Sequence, residues 1–250
     1  MFRVVIPARY ASTRFPGKAV AELLGRPMIQ HVYERAVASY AAEVIIATDD
    51  ARVADAAAEF DAPVTMTSDT HESGTDRVAE VATQHGWQAE DIVVNLQGDA
   101  PTIPPSSVGL VAELLNNHPA ADMATLCVPI NGLAEYQSPH VVKVVMDREG
   151  RALYFSRSPI PASGHGGERK PEQVWRHLGI YAYRVGALQR LSATPACYLE
   201  SCEKLEQLRA LWLGMEIRVA VATEKHGPDV DTPEDLAAAA AYLTAGRDDG

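Results

Sequence analysis

The run Asp91-Ile-Val-Val-Asn-Leu-Gln-Gly-Asp99 constrains the fold of this chain more than any other segment. Its apolar residues occupy both alternating faces, so a strand formed here must be covered on both sides. It then stops abruptly in polar residues. Such a strand belongs in the middle of a parallel sheet under crossover helices, and ligands bind where strands of this kind end. The neighbouring pattern agrees. Apolar runs at 2–6, 44–48 and 64–66 alternate with helix-like stretches at 28–37, 51–60, 75–85 and 106–117, which is βαβα order. The reading is an α/β chain with a mainly parallel central sheet flanked by helices.

After Pro129 the pattern changes. Short strands are expected at 141–146, 153–156 and 179–183, separated by a Gly-, Pro- and charge-rich loop at 163–173 expected to be mobile. Leucines at 199, 205, 208 and 211 predict one helix over 199–213, ended by Gly214 and followed by a strand at 216–222. A last helix starts at Asp231-Thr-Pro-Glu-Asp, with its N-cap at Asp231 or Thr232, and the final Arg-Asp-Asp-Gly is expected to fray.

The chain has 250 residues, 47% of them hydrophobic and 22% charged, which suits one folded α/β domain with a sizeable core. Its net charge of -11 excludes a general nucleic-acid binder, because phosphate backbones need a basic face. Against that acidic background Arg3, Arg9, Arg14 and Lys18 form a basic stretch without an acid. The three cysteines, Cys127, Cys197 and Cys202, give no disulfide framework and no metal pattern, and are expected to be reduced thiols. The amino terminus opens directly on a strand-like run, and no apolar stretch approaches the roughly 20 residues needed to cross a bilayer. A cytoplasmic protein with no membrane partner is expected.

The segment Ile6-Pro-Ala-Arg9-Tyr-Ala-Ser12-Thr13-Arg14-Phe-Pro-Gly17-Lys18 follows the first strand directly. Small residues let backbone N–H groups approach phosphate oxygens, arginines clamp them, and a lysine neutralises charge on a leaving pyrophosphate. It is neither a Walker A loop nor G-x-G-x-x-G. A solvated basic loop is the plain alternative. Asp99 ends the strand at 92–96 and Asp231 precedes the last helix. Two carboxylates of this kind suit Mg²⁺, although by its position alone Asp231 is more readily explained as a helix cap than as a ligand.

The opening string resembles the signature of sugar nucleotidyltransferases of the cytidylyltransferase type, and in its longer form those acting on the eight-carbon acidic sugar 3-deoxy-manno-octulosonate (Kdo). The resemblance continues through His71-Glu-Ser-Gly-Thr-Asp-Arg77, Asn95-Leu-Gln-Gly-Asp99, Val142-Lys-Val-Val145, Ala152-Leu-Tyr-Phe-Ser-Arg157, Arg176-His-Leu-Gly-Ile-Tyr-Ala-Tyr183, Leu205-Glu-Gln-Leu-Arg209 and Val230-Asp-Thr-Pro-Glu-Asp-Leu236. It implies a Rossmann-like nucleotidyltransferase fold with a smaller sugar-binding and dimerisation subregion. In a single domain, residues 1–129 would mainly bind CTP, 130–222 would bind sugar and dimerise, and 223–250 would supply the metal-ligand turn and last helix.

By the same resemblance, CTP would be held by Ala8, Arg9, Arg14, Lys18, Ser73, Gly74 and Arg77. The sugar would be held by Gln97, Arg157, His177, Tyr181, Glu206 and Gln207, with Arg157 pairing with its carboxylate. Lys18, Arg14, Asp99 and Asp231 would be catalytic, with Asp99 and Asp231 holding Mg²⁺. The implied reaction transfers CMP from CTP to Kdo with release of pyrophosphate, activating the sugar for lipopolysaccharide synthesis. A homodimer is implied, with contacts around 141–146 and the C-terminal helices. Ala19 and Ala100 stand where a proline and a glutamate are usual, and the loop at 161–175 is short. A relative acting on an 8-amino analogue of Kdo or another acidic sugar is one rival reading. A non-catalytic nucleotide-binding regulator is the other.

Overall fold

The computed structural model describes residues 1–11, 14–162 and 174–248. The chain runs β1 (Phe2–Pro7), a short hairpin of β2 (Glu22–Leu23) and β3 (Arg26–Pro27), α1 (Met28–Val37), β4 (Glu43–Thr48), α2 (Ala51–Ala58), β5 (Val64–Met66), α3 (Gly74–Gln84), β6 (Ile92–Asn95), α4 (Pro105–Asn116) and β7 (Met123–Pro129). It continues with α5 (Leu133–Gln137), β8 (Lys143–Met146), β9 (Ala152–Ser156), β10 (Trp175–Arg184), α6 (Val185–Ser192), α7 (Tyr198–Glu203), α8 (Gln207–Trp212), β11 (Ile217–Val221) and α9 (Pro233–Asp248).

The main sheet has the order β11-β7-β10-β6-β1-β4-β5. β1 pairs in parallel with both β4 and β6, β4 with β5, and β7 with β11, while β10 is antiparallel to both its neighbours. Every strand on this path except β10 therefore points the same way. β8 leaves the path by pairing antiparallel with β10, and β9 follows it. The segment 130–222 thus contributes both to the main sheet and to a side ribbon.

Alternation along the central strands explains the layers. Val4, Ile6, Ile92 and Val94 enter one apolar cluster with Ile29 and Val32 of α1 and Val108 and Val111 of α4. Val5 and Val93 enter the other, with Val78 and Val81 of α3, Leu188 of α6 and Leu208 of α8. Each such side chain removed from water stabilises the fold by roughly 1.5–3 kcal/mol, so both faces of the sheet must stay covered.

Six features depart from the periodicity. The hairpin β2–β3, β7, α5 and α6 were not expected. β10 is longer than the strand expected at 179–183, because its register shifts between Leu178 and Tyr181 and hides the earlier half. The single helix expected at 199–213 is two, broken at Lys204 in the left-handed region (φ 54°). The break has a tertiary cause. Glu203 turns to accept Ser156 Oγ at 2.5 Å and the Arg157 N–H at 2.9 Å, which draws the end of α7 onto β9. The loop at 163–173 lies outside the described residues, as do Ser12, Thr13 and the last two residues of the tail. Among the described residues no helix is long and apolar enough to cross a membrane, and all three cysteines are free.

Candidate active site

The carboxyl ends of β1 and β6 open into a cavity of about 230 Å³, lined by Ala8, Arg9, Arg14, Lys18, Ser73, Gly74, Arg77, Gln97, Asp99 and Asp231 among others. The loop leaving β1 is anchored at Tyr10. Its carbonyl accepts the Gly17 N–H at 2.9 Å, and its ring lies 3.3 Å from the Arg52 guanidinium carbon. Arg52 is itself held in a two-point grip by Asp50. Gly17 adopts φ +74°, and a Cβ there would sit 3.1 Å from the Tyr10 ring, so glycine is required on both counts. This turn delivers Lys18 to the cavity.

Lys18 Nζ donates to Asp99 Oδ2 at 2.7 Å, to the Val230 carbonyl at 3.0 Å and to Asp231 Oδ1 at 3.2 Å. Arg14 Nη2 reaches Asp231 Oδ1 at 2.9 Å. The backbone closes the same circle, since Val230 N donates to the Asp99 carbonyl at 2.8 Å. The sequence leaves the cap of α9 open between Asp231 and Thr232, and the structure resolves it. Thr232 Oγ1 accepts the Asp235 N–H, while Asp235 Oδ2 accepts the N–H groups of Asp231 and Thr232, a reciprocal cap. Asp231 is thereby released from capping.

Two carboxylates and a carbonyl gathered around one ammonium ion form a hard-oxygen donor set already organised for a cation. That fits Mg²⁺, which takes one or two carboxylates together with phosphate oxygens and water. Among the described residues no third metal-binding side chain joins them.

At the amino end of α3, Ser73 Oγ accepts the Asp76 N–H at 3.0 Å and donates to Asp76 Oδ2 at 2.9 Å. Ser73 is thus a helix cap and a cavity residue together. Gly74 is closely packed, because a Cβ would lie 3.1 Å from Pro7 Cγ and press on that ring. Arg77 is 3% exposed, and its terminal nitrogens serve Thr67, the Ser68 carbonyl and Asp49 Oδ2, the last at 2.9 Å. It stands as a brace under the cavity wall. Arg9 is exposed at the rim and makes no ion pair among the described residues. Arg3 departs from the expected basic cluster. It sits at the far end of β1, paired with Glu43 at 3.5 Å and Asp91 at 3.1 Å.

Of the expected sugar residues Gln97 is in the cavity lining, and Arg157, His177, Tyr181, Glu206 and Gln207 are not. Gln97 lines the cavity and donates to Asn95 Oδ1 at 3.2 Å. Glu206 is gripped by Thr75 Oγ1 at 2.6 Å, and burial pushes its carboxyl above the usual carboxylate range. Beside it, Gln207 Nε2 is buried with no partner among the described residues, as is Asn95 Nδ2. Tyr181 pairs with Asn95 across β10 and β6 and stacks at 5.3 Å on His177. His177 lies outside the cavity, beneath Tyr181 and Phe155, with Nε2 in a hydrogen bond to Thr125 Oγ1 at 2.9 Å. Arg157 departs most from expectation. Its guanidinium donates to the carbonyls of Glu203 at 2.8 Å, Pro139 at 3.2 Å and Lys204 at 3.5 Å, and it does not line the cavity.

Among the residues the sequence did not single out are Asn95, Asp49 and Asp229, together with His71 and Glu72 of the cavity lining. Asn95 is a polar residue inside an apolar strand, which is a readable signal. Asp49 ends β4 at the same sheet edge as Asp99. Asp229 and Ala100 line a small cavity of about 60 Å³ behind Asp99, placing an acid near the position where glutamate is usual.

Burial holds the His177 imidazole down to about 3, so it stays neutral in the fold. The unfolded chain binds this proton more tightly, hence the stability is complete above about pH 6.5 and is lost as pH falls toward 3. Wild type should lose about 2 kcal/mol from this residue between pH 7 and pH 5, and His177→Gln should lack that part of the slope. Urea unfolding at the two pH values measures it. Equal slopes in both proteins would refute the assignment.

The family model described as "Cytidylyltransferase" matches residues 3–217. The 3-deoxy-manno-octulosonate cytidylyltransferase of Thioalkalivibrio sulfidiphilus (strain HL-EbGR7) is 54% identical, over 94% of this chain and 96% of its own length. That of Coxiella burnetii (strain RSA 493 / Nine Mile phase I) is 49% identical, over 97% and 99%. A solved structure of CMP:2-keto-3-deoxy-manno-octonic acid synthetase complexed with CTP superposes with a TM-score of 0.89 at 44% identity, covering 98% of this chain and 100% of that one. A cytidylyltransferase from Leptospira borgpetersenii serovar Hardjo-bovis (strain JB197) shares the fold alone, with a TM-score of 0.60 at 18% identity over 93% and 82%. With the family match spanning most of the chain and relatives near half-identical end to end, this protein belongs to the cytidylyltransferase family.

Proposed function

We propose that this protein transfers CMP from CTP to 3-deoxy-manno-octulosonate, releasing pyrophosphate and activating the sugar for lipopolysaccharide synthesis. The observation that carries the reading is the convergence of Lys18, Asp99 and Asp231 in the cavity that Ser73 and Gly74 also line. The nucleotide binds between the loop after β1 and the amino end of α3, where backbone N–H groups and the helix dipole favour anionic oxygens. Arg14 and Lys18 neutralise the departing pyrophosphate. Asp99 and Asp231 hold Mg²⁺, which when bound would offset charge on the triphosphate and ease deprotonation of the attacking sugar hydroxyl. Gln97, Tyr181, Glu206 and Gln207 hold the sugar, and the unpartnered amides of Gln207 and Asn95 supply donors for its oxygens. The anomeric oxygen then attacks the α-phosphorus in line, and the bond to pyrophosphate breaks.

The chain is read as half of a homodimer. β8, in the expected contact region, has both neighbours in place in β9 and β10, so the open edge passes to β9 with its exposed Leu153.

Pyrophosphate release tests the reaction, with purified protein, Mg²⁺ and each nucleoside triphosphate against Kdo, its 8-amino analogue and a sialic acid. Release with CTP and Kdo is expected. Release with another acidic sugar would move the substrate and keep the mechanism. No release with any sugar would favour the nucleotide-binding regulator.

A further inference from the structure

The nucleotide loop and the sugar carboxylate meet at one hydroxyl. Thr75, the second residue of α3, is 3% exposed and directly follows the cavity residues Ser73 and Gly74. Its position is fixed twice over. Asp76, next in sequence, is tied to Ser73 through one carboxylate oxygen and accepts Ser192 Oγ at 2.7 Å through the other. From this anchored turn Thr75 Oγ1 donates to Glu206 Oε2 at 2.6 Å, across 131 residues of sequence.

The other groups that favour the charge of Glu206 hold it less closely: Ser73 is beside it, but that hydroxyl gives its proton to Asp76 at 2.9 Å. Arg209 Nη2 reaches the other Glu206 oxygen only at 3.4 Å, because that guanidinium is bound at 2.6 and 2.7 Å by Glu200 and by the carbonyls of Leu191 and Thr194. A short bond from a hydroxyl to a half-buried carboxylate therefore sets which way the carboxylate faces. Asp76, Tyr181 and Tyr183 are the other titratable groups around it, and each adds negative charge or none. Gln207, the next residue, carries a buried amide nitrogen without a partner among the described residues.

We propose that Thr75 is a positioning residue that orients Glu206 toward the sugar. The inference rests on the reading of Glu206 as a sugar ligand. It touches neither the α-phosphate nor the metal pair, so its effect falls on sugar affinity.

The test compares Thr75→Val, which keeps the shape and removes the hydroxyl, with Thr75→Ser, which keeps the hydroxyl. In Thr75→Val the KM for the sugar should rise about tenfold, with kcat and the Kd for CTP alone changing less than about twofold. Thr75→Ser should restore the sugar KM. Separately, carbon-13 titration of the Glu206 carboxyl in the sugar-free protein should move its midpoint upward in Thr75→Val and not in Thr75→Ser, because the lost donor favoured the charged form. That titration needs no turnover, so it decides the Thr75 contact even if the sugar proves to be a different one. The proposal is overturned by an unchanged sugar KM in Thr75→Val, by equal losses for sugar and CTP with a lowered Tm, or by a Glu206 titration that the valine leaves in place.

Discussion

Asp99→Asn should lower kcat by on the order of 10³-fold, the scale expected when several kcal/mol of metal-borne charge stabilisation is lost. Its Tm should barely move. In the free protein Asp99 contributes one 2.7 Å contact to Lys18, from a side chain 30% exposed, and such a pair stabilises by about 0–1 kcal/mol. Losing it also relieves repulsion from Asp231, which shares the same ammonium. The amide keeps size and shape but removes the charge that a divalent cation needs. The measurement is single-turnover pyrophosphate release across a Mg²⁺ series, with a thermal melt beside it. Turnover within tenfold of wild type would remove Asp99 from the metal pair, and a collapsed melt would make its role structural.

Lys18→Met should produce the second large effect, lowering kcat by about 10²-fold through loss of a cation facing the leaving group. Here stability should change as well. The Lys18 side chain is 17% exposed and bridges Asp99 and Asp231, so methionine leaves two carboxylates facing each other with only Arg14 on Asp231. A loss of about 1–2 kcal/mol is expected from such an uncompensated pair. On the proposed reading the ammonium and Mg²⁺ compete for the same oxygens, so the variant should recover more stability from added Mg²⁺ than wild type does. A Mg²⁺ titration followed by thermal unfolding, with no substrate present, reads this directly. Equal Mg²⁺ responses in the two proteins would show that Lys18 and the metal do not share those acids.

Much of this site could be read along the chain because its parts are local. The small, basic loop after β1, the Ser73-Gly74 turn before α3 and the acid ending the strand after Gln97 each carry their chemistry in a few neighbouring residues. The departures from expectation arose where distance along the chain misrepresents distance in space. Arg3 is six residues from Arg9, yet a strand rises about 3.3 Å per residue and places it at the opposite edge of the sheet. His177 offers a ligand by residue type, and its burial under Tyr181 and Phe155 is invisible in one sequence. The helix over 199–213 has sound periodicity, but Glu203 is drawn to β9 by a contact 47 residues away.

What the sequence determined by itself was the α/β class, most of the strand and helix positions and the residue types that handle phosphate. Period and composition are local properties, and apolar runs on both faces admit few arrangements. The tertiary structure alone decided that Asp99 and Asp231 meet on Lys18, that Thr232 rather than Asp231 caps α9, that Arg157 turns to backbone carbonyls, and that Thr75 grips Glu206. Each depends on groups brought together across the sheet edge, and only close packing of the two helical layers sets distances there to within a hydrogen bond.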